Sequence, residues 1–216
     1  MRKILVAVVF IALIASNSFA DAFDEVNLVK LPEPTKTGGM SLAEAITNRH
    51  SGREFAEVDL TLQELSDLLY MTAGINRPNG LRVHPVAMAI QDTTVYVFDS
   101  DGVYKYNPLS HSLSLVAEGD HRQETGKQEF VGKAAVNLAY VHDINLWEGN
   151  KAPKEVIRQW GFAHTGAAMQ NAYLFAASKG WNAVVRGSFD AENLAKLMQL
   201  EDGQTITLIQ SIGPKP

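Results

Sequence analysis

An α+β fold with a mostly antiparallel or mixed sheet is what this 216-residue sequence predicts. Three observations carry that expectation. Helix signals come first, as two capping boxes in succession. A hairpin signal follows in "TTVYVFDSDGVYKYN". Strand and helix patterns are then mixed, without the regular alternation that a doubly wound nucleotide fold needs. The sequence also has no G-x-G-x-x-G and no Walker-A loop, so any phosphate must be held by side chains.

The first 20 residues stand apart. "MRK" is a basic start, "ILVAVVFIALIA" is an apolar run, and "SNSFA" ends on small residues with Ser18 and Ala20 spaced for cleavage. This predicts a secretory signal peptide cut after Ala20 and an exported, periplasmic or extracellular protein. The run is short for a membrane span, so no stable insertion is expected after cleavage; an uncleaved anchor is the alternative. Residues 21–40 read as an extended arm, because Pro32, Pro34, Gly38 and Gly39 resist helix. Residues 41–216 read as one domain.

Ser41 and Glu44 form the first capping box, and Leu42, Ala45 and Ile46 give its helix an apolar face that runs out near Arg49. Thr61 and Glu64 open the second helix, which stops at Gly74. "INRPNGLRVHP" is loop. Val95, Val97 and Val103 alternate around a turn at Asp101-Gly102. "HRQETGKQEFVG" reads as a polar helix, and "AVNLAYVHD" as a buried strand. "KEVIRQWGFAHTGAAMQNAYLFAASKG" is the longest helix. Its apolar and small residues run nearly all the way round, which places it at a centre or an interface. "WNAVVRG" is a strand, "DAENLAKLMQL" a helix capped by Asp190, and "QTITLIQSIG" the last strand.

Net charge is −5, and loss of Arg2 and Lys3 with the signal takes it to −7. An acidic exported chain is a poor partner for nucleic acid. The sequence has no cysteine, which rules out disulfides and thiolate metal sites. Its six histidines, His50, His84, His111, His121, His142 and His164, show no metal-ligand spacing, and no metal is expected. G-x-S-x-G is absent, so a serine hydrolase is unsupported.

"NRHSGREF" collects Arg49, His50, Ser51 and Arg53 just past the first helix. Cations crowded in this way make sense around an anion, and guanidinium forks with a hydroxyl suit phosphate oxygens. A solvated basic patch after a helix C-terminus is the other reading. In "VVRGSFD", Gly187 permits close backbone approach to something flat, or simply turns a strand into a helix. Lys215 follows the last strand.

Together these segments resemble the nitroreductase-like FMN flavoproteins, in particular the branch with SagB-type dehydrogenase domains. The family's "RRSxRxF" or "RHSxxxF" stretch has its counterpart in "NRHSGREF", and "LTLQELSDLLYMTAGINRP" matches the leucine-rich helix and asparagine-proline loop that follow. The likeness runs on through "TTVYVFDSDGVYKYNP", "QEFVGKAAVNLAYVHD", "GFAHTGAAMQNAYLFAASKGWNAVVRGSFD" and "LIQSIGPKP", from about residue 31 to the C-terminus. It implies a three-layer fold with a central sheet flanked by helices, an intertwined homodimer, and FMN at two sites across the interface. It further implies that Arg49, Ser51 and Arg53 clamp the FMN phosphate with His50 close by, and that Lys215 adds a second cation. Arg186 and Gly187 would lie by the ring, their backbone N–H groups free for it.

One segment departs from the family. A Pro-Ser-Ala or Pro-Ser-Ser and a following Asn commonly reach the flavin from the partner subunit; here the loop reads "HPVAMAIQD". Pro85 and Ala87 remain, Val86 replaces the serine, Ala89 the asparagine, and Met88 a small residue. At about 1 kcal/mol per lost contact, FMN would be held roughly thirtyfold more weakly. The implied activity is ping-pong hydride transfer through FMN between a reduced donor, NAD(P)H among the candidates, and a small electron-poor acceptor such as a nitro compound or quinone. No catalytic acid or base is assigned. The alternative is an exported, non-catalytic flavin or ligand carrier on the same scaffold.

Overall fold

The computed structural model describes residues 28–216. The expected signal peptide and the first residues of the arm lie outside the described residues. No helix among the described residues is long and apolar enough to cross a membrane.

A seven-stranded sheet forms the centre, in the order β1-β4-β3-β2-β5-β7-β6. The strands are β1 (Leu28–Lys30), β2 (Thr93–Phe98), β3 (Gly102–Asn107), β4 (Ser112–Glu118), β5 (Val136–Asp143), β6 (Asn182–Arg186) and β7 (Gln204–Gly213). Every pairing between them is antiparallel. The helices are α1 (Leu42–Asn48), α2 (Leu62–Ala73), α3 (Phe130–Lys133), α4 (Lys154–Ser178) and α5 (Ala191–Leu197).

The period of two along each strand divides the core into two faces. Val95 and Val97 of β2, with Leu138 and Tyr140 of β5, pack against Leu65, Leu68 and Leu69 of α2 and Ala168 and Ala172 of α4. Tyr96 and Phe98 point the other way, with Ala139 and Val141, onto Leu194 of α5 and Met198. A bulge opposite Tyr140–Val141 shifts the register of β7, which is how both Ile206 and Ile209 join the second face. Helices thus cover both sides of the sheet, giving the three layers. Each fully buried leucine contributes about 1.5–3 kcal/mol relative to exposure.

Both capping boxes form. The Ser41 and Thr61 side chains each accept the N3 amide, and Glu44 and Glu64 reach back to the cap. Gly74 ends α2, and Gly180, at φ 71, follows the end of α4. The β2–β3 turn is closed by Asp99, which accepts from the amides of Asp101 and Gly102 at 2.9 and 3.0 Å. Asp190 caps α5.

One sequence expectation is corrected, and two features were not read. The polar stretch at 121–132 is no single helix: a 3-10 turn at Arg122–Thr125 and the one-turn α3 are separated by extended Gly126. A Cβ at Gly126 would collide with the Arg186 guanidinium, so the chain must pass there as glycine. The strand β4 has no counterpart in the sequence reading. Its Leu113–Leu115 alternation is interrupted where Val103 and Tyr104 of β3 face Ala117 and Leu115, leaving Val116 extra. Within the stretch read as an extended arm, Leu28–Lys30 pairs with Leu113 and its neighbours as the sheet edge.

Candidate functional site

The stretch after α1 is fixed along the edge strand β6. The Gly52 amide donates to the Ala183 carbonyl at 3.0 Å, and the Ala56 amide to the Pro214 carbonyl at 2.9 Å. Phe55 is buried beside Phe130, with ring centroids 6.3 Å apart. A Cβ on Gly52 would overlap the Asn182 side chain, so the glycine is what lets the chain lie this close. Asn182 in turn donates from Nδ2 to the Glu54 carbonyl at 2.6 Å and turns Oδ1 to Nε2 of His50 at 3.1 Å. The other ring nitrogen of His50 faces the Asn48 carbonyl at 2.9 Å. Both nitrogens therefore face oxygen atoms, and the two contacts fix the orientation of the ring.

Tyr173 of α4 supports this stretch from beneath. Its hydroxyl lies 3.1 Å from Oγ of Ser51 and accepts the Val185 amide at 2.8 Å. The Arg49 guanidinium lies over its ring, 5.4 Å from the centroid. Lys215 arrives from the other side, two residues past Gly213, the register partner of Asn182. A cleft of about 510 Å³ results, lined by Arg49, His50, Lys215, Thr47, Asn48 and Trp181 among others. Among the described residues no carboxylate lines it. Among the described residues none of Arg49, Arg53 and Lys215 forms an ion pair.

Of the residues singled out in the sequence, the structure brings Arg49, His50 and Lys215 to this cleft. Ser51 stands beside them, turned to Tyr173, and Arg53 is exposed further along and does not line it. The side chain of Arg186 points away from this cleft, which leaves only its backbone for the role the resemblance implies. It is buried and donates to the Thr125 carbonyl at 2.5 Å, to Thr125 Oγ1 at 3.2 Å, to Asn137 Oδ1 at 2.9 Å and to Ser211 Oγ at 3.1 Å. All four acceptors are neutral, and burial pulls the guanidinium down to about 10. At neutral pH it remains a cation that holds the strands together. Gly187 is exposed, and a Cβ there would meet nothing closer than Leu208 Cδ2 at 3.9 Å. Nothing in the chain itself requires glycine at that position, so the backbone there is open to a visitor.

Pro85, Val86 and Ala87 lie apart from the cation cleft. A 3-10 turn spans Ala87–Ala89, and within it Met88 and Ala89 are left-handed, with φ of 54 and 60. Non-glycine residues pay about 1–3 kcal/mol each for that conformation. Met88 is 69% exposed, its sulfur 3.2 Å from Nδ2 of Asn150. The Ala87 amide donates to Nε2 of His164 at 2.8 Å. Nδ1 of His164 faces Asp92 Oδ1 at 2.8 Å, and Asp92 Oδ2 accepts from Trp147 Nε1 at 2.8 Å and faces His142 Nδ1 at 3.2 Å. Burial pushes the Asp92 carboxyl up, but the contacts with His142, His164 and Trp147 more than offset this and hold it below the usual carboxylate range. Sequence reading missed this network and the roles of Tyr173 and Asn182. The only local signal was a lone aspartate directly before an apolar strand.

Comparison with known proteins shows which family and fold the chain is similar to. The pattern of the Nitroreductase family matches residues 46–214. A protein of Methanocaldococcus jannaschii assigned as a nitroreductase is 27% identical over 177 residues, 76% of this chain and 86% of that one. A crystal structure from Ralstonia eutropha, also assigned as a nitroreductase, superposes with a TM-score of 0.82 at 37% identity, covering 88% of this chain and 90% of that one. A further structure assigned as a nitroreductase, from Exiguobacterium sibiricum and in complex with FMN, shares the fold at 12% identity, with a TM-score of 0.61 over 84% of this chain and 91% of that one.

Proposed function

The chain belongs to the nitroreductase family, and on that premise we propose that it is an FMN-dependent oxidoreductase. One observation carries the reading: Arg49, His50 and Lys215 converge on a cleft that, among the described residues, no carboxylate lines. Three such groups from two separate parts of the chain suit a dianionic phosphate. When bound, FMN would supply hydride transfer, taken from a reduced donor such as NAD(P)H and passed in a second step to a small nitro compound, quinone or similar acceptor.

The protein's part is to bind and orient. Arg49 offers a planar fork, kept in place by the Tyr173 ring, and Lys215 a mobile point charge. Ser51 adds a hydroxyl, and Arg53, exposed and in no ion pair among the described residues, stands within the same stretch. At the far end of β6 the open backbone at Gly187 offers room for a flat ring. Only backbone is free for this role at Arg186, because its side chain is engaged with Thr125, Asn137 and Ser211. The loop Pro85–Ala89 presents no hydroxyl or carboxamide of its own, so its contribution is shape and backbone.

Three finer points belong to the same proposal. A homodimer is supported by α4, where Phe162 and Ala163 are exposed and a Cβ at Gly166 would meet nothing within 4 Å. Such an apolar, small-residue stripe lets a second helix approach closely. In that dimer the Pro85–Ala89 loop would serve the other subunit's site. Export rests on the sequence of residues 1–20, and membership of the SagB-type branch on the "RHSGREF" and "INRP" stretches.

Purification tests the reading directly. A yellow protein whose colour is bleached by NADH or dithionite and restored by an acceptor is expected. A colourless protein that takes up no added FMN would refute it.

A further inference from the structure

We propose that Asp92 and His164 are a positioning pair for the Val86–Ala89 loop, and through it set which acceptors reach the site. This rests on the flavin reading for its functional half and on geometry alone for its structural half.

The geometry points one way. His164 is 5% exposed and Asp92 0%, so neither can touch a substrate. Nε2 of His164 accepts the Ala87 amide, so the ring proton must sit on Nδ1, where it is donated to Asp92 Oδ1. The other oxygen of Asp92 accepts from Trp147 Nε1, with Nδ1 of His142 3.2 Å away, and the indole bond fixes the carboxylate in turn. A chain of defined polarity therefore runs from the 3-10 turn at Ile144–Trp147, through the start of β2 and the middle of α4, to a single loop amide. That amide belongs to the residue just before two left-handed, non-glycine residues, Met88 and Ala89. Such a pair does not hold its own conformation. It needs an external tie, and His164 supplies one. The result is that Met88 stands out from the surface instead of folding back.

The two hydrogen bonds of His164 can be cut separately. In His164→Asn the carboxamide nitrogen takes the place of Nδ1, so the contact to Asp92 survives and the acceptor for Ala87 is lost. In His164→Gln the carboxamide oxygen takes the place of Nε2, so Ala87 keeps its partner and Asp92 loses a donor. If the pair acts through the loop, hydrogen exchange at the Ala87 amide should speed up about tenfold or more in His164→Asn and change little in His164→Gln. The ratio of kcat/KM for a bulky against a small nitro acceptor should shift several-fold in the first variant, through KM, and stay near wild type in the second. Equal effects of the two variants on the acceptor ratio, or unchanged Ala87 exchange in His164→Asn, would overturn the proposal. The exchange arm needs no cofactor, so it decides the structural half even in a protein that binds no flavin. Should both variants fail to fold, imidazole nitrogen spectra of the wild-type protein decide it. The Nδ1–H tautomer of His164 is expected, and the Nε2–H tautomer would overturn the pair.

Discussion

The hydroxyl of Tyr173 stands 3.1 Å from Oγ of Ser51, and one hydrogen bond thereby ties the central helix to the cation stretch. Because the same hydroxyl accepts the Val185 amide, its proton is free for Ser51. Tyr173→Phe keeps the ring under Arg49 and removes both bonds. It should lower stability by about 1–3 kcal/mol, since a largely sheltered amide is left unpaired. The urea midpoint should fall at constant m-value; an unmoved midpoint would show that water replaces the hydroxyl.

Arg49→Ala should weaken FMN about ten- to a hundredfold, because a charge-assisted contact contributes about 1.5–3 kcal/mol. Arg49→Lys keeps the charge and loses the fork, so it should fall between. Arg53 does not line the cleft, and Arg53→Ala should cost less than Arg49→Ala. Titration calorimetry gives the order directly, and equal affinities for all three variants would rule out the clamp.

Two glycines of α4 predict opposite outcomes. A Cβ at Gly161 would stand 2.5 Å from Cγ of His142. Alanine there gains about 1 kcal/mol in helix propensity, but overpacking costs about 1–3 kcal/mol, so Gly161→Ala should destabilise. Gly166 has open space around it within one chain, so Gly166→Ala should stabilise an isolated subunit. If α4 lies at the dimer interface, the same change should instead raise the dimer dissociation constant, which sedimentation at varied concentration would show.

His84 gives a pH signature. Among the described residues neither ring nitrogen has a hydrogen-bond partner, although the Thr72 backbone lies near enough to favour the charged ring slightly. Burial first, and the nearby Arg82 second, pull the imidazole down to about 4 from 6.5. Above pH 6.5 the ring is neutral in folded and unfolded chains alike, and nothing is lost. As pH falls from 6.5 toward 4, the unfolded chain takes up a proton that the folded chain refuses, and stability drops by about 1.4 kcal/mol per unit, roughly 3 kcal/mol in all. His84→Leu should flatten urea midpoints across that window. A decline parallel to wild type would place the acid sensitivity elsewhere.

What was legible in the sequence was local. Ser41–Glu44, Thr61–Glu64, Asp190 and the Asp101-Gly102 turn each act over a few residues, and each formed as read. The bulge at Val116 hid β4 by breaking its period, and Gly126 broke a helix for the sake of a side chain 60 residues away. The site divided along the same line. Arg49, His50 and Lys215 could be grouped because a resemblance supplied their meeting point. The Asp92 network could not, since its partners His164 and Trp147 lie 72 and 55 residues distant and carry no pattern of their own. The direction of the Arg186 side chain was not legible, because a strand-end arginine gives no sign of which way it turns.

The fit of Gly52 against Asn182 has an evolutionary consequence. Asn182 can occupy its place only while position 52 lacks a side chain, and the gap beside Gly52 is filled only while position 182 carries a compact carboxamide able to serve both Glu54 and His50. Neither site can drift alone. A larger residue at 52 expels the carboxamide and frees the imidazole, while a smaller one at 182 leaves the backbone of 52–54 without its brace. In a collection of relatives the two columns should therefore change as a unit or stay fixed as a unit. A lineage that has lost the pair should have lost the histidine at position 50 as well.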